Sequence, residues 1–119
     1  MEVEFTRDQL AEKIANTQNM IILKFGAPWC GPCKRVDPIV AMWKSVIDTN
    51  NLPIELMSIN VDESFDLFAF LRSKKLVPSI PTVLAWKGTN QEIYPDQSVL
   101  GTDDEHLNEF FNWCKSNCK

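Results

Sequence analysis

"LKFGAPWCGPCK" occupies residues 23–34 and sets two cysteines, Cys30 and Cys33, around a Gly-Pro pair. Just before it, "MIILKF" (20–25) is a nearly continuous apolar run, the pattern of a strand covered on both faces. Beyond it, Val36, Ile39, Val40, Trp43, Val46 and Ile47 recur at helical spacing. The cysteines therefore stand where a buried strand gives way to a helix, Cys30 ending the turn and Cys33 in the first helical turn. At that place unpaired backbone N–H groups and the positive end of the helix dipole favour thiolate over thiol, which activates Cys30 as a nucleophile. Pro32 suits an early helical position because the N–H it lacks would be unpaired anyway. Two intervening residues let Cys33 turn back on a mixed disulfide at Cys30. The order of events is attack, covalent intermediate, resolution and release of an oxidised pair.

The remaining elements follow outward from this stretch. "VEF" (3–5) is a short strand candidate, and Thr6 with Gln9 fits a capping box opening a helix to about Asn16, with Leu10 and Ile14 on one face. Pro38 falls inside the helix after the cysteines and is expected to kink it. "NNLP" (50–53) breaks that helix, and "IELMSINV" (54–61) reads as the next strand. Ser64 is expected to cap "FDLFAFLRSKK", whose Phe65, Leu67, Phe68 and Leu71 form a core stripe. "PTVLAW" (81–86) is a strand, Lys87–Asn90 a turn, and "QEIY" (91–94) an antiparallel neighbour. Thr102 and Glu105 fit a second capping box, opening a last helix to about Ser116. The order β-α-β-α-β-α-β-β-α predicts an α/β domain with a central mixed sheet covered by helices on both faces.

Composition bounds the partners. The chain has 119 residues and a formal net charge of -4, with no basic footprint for nucleic acid and no Lys/Arg run for a membrane surface. No apolar stretch approaches the roughly 20 residues needed to span a bilayer. "MEVEFTRDQLAEK" lacks a basic start followed by a long apolar run, so the expectation is a soluble, cytoplasmic protein. In a reducing compartment a close cysteine pair is catalytic or metal-binding more often than a permanent staple.

Trp29-Cys30-Gly31-Pro32-Cys33, with Pro38 five residues beyond the second cysteine and Ile80-Pro81-Thr82 opening a late strand, resembles the thioredoxin family. The resemblance covers essentially the whole chain in element order. It implies a thioredoxin fold, a five-stranded mixed sheet flanked by four helices, in one domain over residues 1–119. The implied activity is thiol–disulfide oxidoreduction, most directly protein-disulfide reduction, with Cys30 attacking and Cys33 resolving. The implied partners are protein disulfides and a separate electron-donating reductase such as a thioredoxin reductase. The chain is expected to act as a monomer without a cofactor, since no dinucleotide-binding glycine pattern is present. The resemblance further implies a cis Ile80–Pro81 peptide against the cysteine pair, leaving the Ile80 backbone free to pair with an extended substrate. Trp29, Gly31, Pro32, Ile80 and Gly101 match the family's shallow apolar substrate face. An altered-potential oxidase or isomerase, or a binding subunit with incidental redox activity, stand as alternatives.

The pattern breaks at Lys24, where the family usually carries a buried aspartate that handles protons for the resolving cysteine. Gly26 replaces a usual aromatic, and Ser58 stands where many members have a lysine. Two readings of Lys24 stay open. It snorkels to solvent on its aliphatic stem, or it lies near Cys33 and tunes the redox poise. In the second case an ammonium would stabilise a thiolate, whereas a neutral amine would accept the Cys33 proton. Cys114 and Cys118, four apart at the end of the last helix, are expected to be free surface thiols, with a disulfide in a frayed terminus as the alternative. A zinc site drawing on Cys30, Cys33, Cys114, Cys118 or His106 is set aside, because the last helix is expected to end far from the active pair. The segment 89–101 is longer than the corresponding connection in short thioredoxins and is a candidate for shaping partner choice.

Overall fold

The computed structural model describes residues 2–119. Along the chain run β1 (Glu2–Val3), α1 (Arg7–Asn16), β2 (Met20–Gly26), α2 (Gly31–Thr49), β3 (Ile54–Asn60), α3 (Phe65–Ser73), β4 (Thr82–Trp86), β5 (Gln97–Leu100) and α4 (Asp104–Asn117). The five strands form one sheet in the order β1-β3-β2-β4-β5. The β1–β3 and β3–β2 pairings are parallel, while β4 runs antiparallel to both β2 and β5. The mixed sheet and four helices are those expected.

The unbroken apolar run of β2 has a simple cause. Alternate side chains enter two different cores, so neither face is left for water. Met20 and Ile22 pack with residues of α2 and α4, including Val36, Trp43 and Phe111. Ile21, Leu23 and Phe25 pack on the other face with Leu10, Leu67, Leu71 and Trp86. Lys24 continues the Met20–Ile22 face and therefore points under α2. Trp43 stacks on Phe111 with ring centroids 5.5 Å apart and donates its indole N–H to Asn108 at 2.9 Å, tying α2 to α4. On the opposite side Glu55 takes Lys13 at 2.6 Å and the Thr17 hydroxyl at 3.0 Å. Burial pushes the Glu55 carboxyl up, but the bonds from Lys13, Thr17 and Asn19 outweigh it and hold the group below its usual range.

Several local expectations are corrected. β1 covers Glu2–Val3 rather than residues 3–5. The Thr6–Gln9 capping box is present, but Ser64 makes no side-chain cap on α3. Its hydroxyl instead accepts the Phe5 N–H at 3.1 Å, fastening the chain start to α3. On α3 only Leu67 and Leu71 are fully buried, and Phe65 is 65% exposed. "QEIY" is not a strand. The buried Trp86 indole needs an acceptor and takes the Ile93 carbonyl, while Asp96 holds the Lys87 N–H, so residues 91–94 bend and pairing with β4 begins only at Gln97. Asp103, not Thr102, caps α4, its carboxylate accepting the His106 N–H at 3.0 Å.

Candidate active site

Cys30 is the N-cap of α2, in extended conformation, and its Sγ accepts the Cys33 N–H at 3.2 Å. This is one of the helix's unpaired first-turn donors, so a thiolate at Cys30 would receive a charge-assisted hydrogen bond. The first turn of α2 carries no acidic residue to offset the dipole. The two cysteines are joined as a disulfide with Cα atoms 5.3 Å apart. Cys30 is 5% exposed and Cys33 1%, so the sulfur that a partner can reach is that of Cys30. Pro32 falls at the start of the helix, and α2 continues through Pro38 to Thr49.

Trp29 projects from the same turn, 69% exposed, with its indole N–H donating to Asp62 at 2.8 Å. Beside it an apolar groove of about 390 Å³ is lined by Trp29, Val61, Phe65, Phe68, Pro78 and Ile80. The Ile80–Pro81 peptide is cis. Phe25 pairs with Thr82, so the register carried one residue further sets Pro81 opposite Gly26 at the strand end that leads to the cysteines. Gly101 lies against Pro81, donating its N–H to the Pro81 carbonyl at 3.0 Å, and its φ of +97° is a conformation that favours glycine. A side chain at Gly31 or Gly101 would meet no other part of the chain within 4 Å. Both glycines therefore border open space on this face. Among the described residues nothing in the chain hydrogen-bonds to the Ile80 N–H or C=O.

Lys24 is largely buried rather than extended into solvent. The residue is 8% exposed, and its Nζ ends on Asp37 Oδ1 at 2.7 Å. A Cβ added at Gly26 would lie 3.0 Å from Lys24 Nζ and 3.3 Å from Cys33 Sγ. The Lys24 ammonium and the Cys33 sulfur thus both border the space that a side chain at Gly26 would fill. Asp37 escaped the sequence reading. Its signal was its place four residues after Cys33, which puts both on one face of α2. Asp62 escaped too, since nothing local marks a loop carboxylate as the acceptor for Trp29.

Cys114 and Cys118 are free thiols, but both are buried, which corrects the surface assignment. They belong to the core between the sheet and α2 and α4. Burial, with Cys118 beside it, pushes the Cys114 thiol up to about 12. His106 is exposed near the start of α4. Among the described residues no group of three or more His, Cys, Asp or Glu side chains is placed to hold a metal ion. Among the described residues no helix is long and apolar enough to cross a membrane.

The sequence pattern of the family described as Thioredoxin matches residues 2–113. The chain belongs to the thioredoxin family. It is similar to a thioredoxin of Mycoplasma pneumoniae, 34% identical over 79 residues, which are 66% of this chain and 69% of that protein. Against thioredoxin 1 of a Nostoc species the identity is 27% over 110 residues, covering 87% of this chain and 95% of the other. In fold it is similar to the thioredoxin of Trichomonas vaginalis, with a TM-score of 0.72 at 23% identity over 97% of this chain and 96% of that one. Family and disulfide-forming pair together support thiol–disulfide oxidoreductase chemistry for this thioredoxin-family protein.

Proposed function

We propose that this protein reduces disulfides of client proteins and is itself re-reduced by a separate reductase. The observation that carries the reading is a helix-capping Cys30, outermost of a disulfide-forming pair, beside an exposed Trp29 and an open glycine-bordered face. The Cys30 thiolate attacks one sulfur of a client disulfide, forming a mixed disulfide and releasing the other client sulfur as thiolate. Cys33 then loses its proton and attacks Cys30 Sγ, and the second client sulfur leaves with the electron pair of the broken bond. Two electrons have passed from the dithiol to the client, and the released thiolates take up protons from water. Trp29, Gly31, Pro32, Ile80, Pro81 and Gly101 form the client-docking face, with the Ile80 backbone pairing to an extended client segment. A reducing compartment, the cytoplasm, suits a pair that must return to the dithiol.

A turbidity assay of disulfide reduction with dithiothreitol as electron source tests the reading. The protein is expected to accelerate precipitation of the reduced client, and Cys30→Ser to abolish the effect. No acceleration by the native protein, or equal acceleration after Cys30→Ser, would overturn it and favour a binding role. The buried ammonium beside Cys33 favours a second reading, an oxidant of dithiols. Faster oxidation of a reduced peptide by the disulfide form than reduction of that peptide's disulfide by the dithiol form would select it.

A further inference from the structure

We propose that Asp37 is a positioning residue for the resolving step: it holds the Lys24 ammonium toward Cys33, and that ammonium stabilises the Cys33 thiolate. The inference rests on the dithiol–disulfide cycle proposed above, to which it adds a residue and a charge arrangement.

A lysine on the buried face of a central strand is costly unless paired. Among the described residues Asp37 is the one carboxylate in an ion pair with Lys24. The two partners are unequally exposed, 9% for the lysine side chain and 58% for the aspartate. Water therefore screens the carboxylate more than the ammonium. Cys33 Sγ, on the inner side, experiences chiefly the positive end of the pair across the space left by Gly26. Glu2, Lys24, Gly26, Asp37, Ser58 and Asn60 also border a cavity of about 150 Å³, ample for several water molecules, so the Glu2 carboxylate faces the same space without an ion pair to Lys24. When Cys33 resolves a mixed disulfide, its S–H bond breaks and the proton passes to solvent. The thiolate lone pair forms the bond to Cys30 Sγ while the client sulfur departs as thiolate, so Cys33 is oxidised and the client sulfur reduced.

The test is an ultraviolet thiolate titration in a Cys30→Ser background, where Cys33 alone of the pair ionises and the buried Cys114 and Cys118 are replaced by Ala. Lys24→Met is expected to lower the Cys33 thiolate fraction about tenfold at a pH below the midpoint, the scale of losing one nearby opposite charge. Asp37→Ala should reproduce most of that loss, the double variant should lose no more than Lys24→Met alone, and Asp37→Glu should restore the native titration. With both active cysteines present, resolution of a preformed mixed disulfide with glutathione should slow about threefold in Lys24→Met, because the more basic thiolate is also more nucleophilic. If Lys24→Met does not fold, Lys24→Gln removes the charge while keeping a hydrogen-bond donor for Asp37. An unchanged titration in the lysine variant overturns the proposal. So does a higher thiolate fraction in Asp37→Ala, or strict additivity of the two substitutions. Native titration shifts in a protein inactive in the turbidity assay would refute the reductase reading and leave this one standing.

Discussion

The chain places two pairs of nearby cysteines at opposite ends of two helices and gives them opposite chemistry. Cys30 and Cys33 open α2, where Cys30 receives a backbone N–H and the helix dipole presents its positive end. Cys114 and Cys118 close α4, where the dipole presents its negative end and the Cys118 thiol donates toward the Lys115 carbonyl at 3.3 Å. Cys30 borders the open face beside the exposed Trp29, whereas Cys114, 0% exposed, is shut inside an apolar core with Cys118 beside it. Short spacing is common to both. What separates a reactive pair from an inert one is which helix end supplies the field and whether a partner can approach.

The largest expected difference lies in alkylation. At neutral pH iodoacetamide should label Cys30 of the reduced protein about a thousandfold or more faster than Cys114, since a thiol pushed up to about 12 is almost never a thiolate there. Comparable labelling of Cys114 in the folded protein, read by mass spectrometry, would erase the contrast. An alkaline stability limb comes next. Cys114 keeps its proton in the folded state up to about 12 but loses it near the ordinary thiol value of 9.0 once unfolded. The stabilisation is therefore complete below pH 9.0 and falls by up to about 1.4 kcal/mol per pH unit as the pH rises toward 12. Urea midpoints near both ends of that window should diverge in the native protein and converge in Cys114→Ala. The smallest effect is structural. Cys114→Ser puts a hydroxyl at a position with 0% exposure and should cost roughly 1–3 kcal/mol in urea unfolding, whereas Cys30→Ser should cost well under that.

Which of these features could be read from the chain divides along physical lines. The strand-to-helix placement of Cys30 and Cys33 was legible because a run covered on both faces, two cysteines, an early proline and a helical apolar stripe are all local signals. The late Ile80-Pro81-Thr82 was legible through resemblance, and the structure places its cis peptide at the mouth of the site. β5 was misplaced by six residues because Trp86 draws the Ile93 carbonyl away from the sheet, a contact between residues that no strand periodicity encodes. Ser64 was legible as a cap by type, yet its hydroxyl went to Phe5, 59 residues away in sequence. Cys114 and Cys118 looked peripheral because they lie near the chain end, but α4 turns that face onto α2 and the sheet. Lys24 was visible as an anomaly. Its partner Asp37 was not, since pairing a strand residue with a helix residue 13 positions on depends on how α2 crosses β2.

The central claim, that Cys30 attacks and Cys33 resolves, is tested most directly by trapping. Cys33→Ser protein, fully reduced and mixed with a client carrying one disulfide, should accumulate a covalent adduct through Cys30, released by dithiothreitol and mapped by mass spectrometry. An adduct through Cys114 or Cys118, or rapid turnover with no trapped species, would contradict the account.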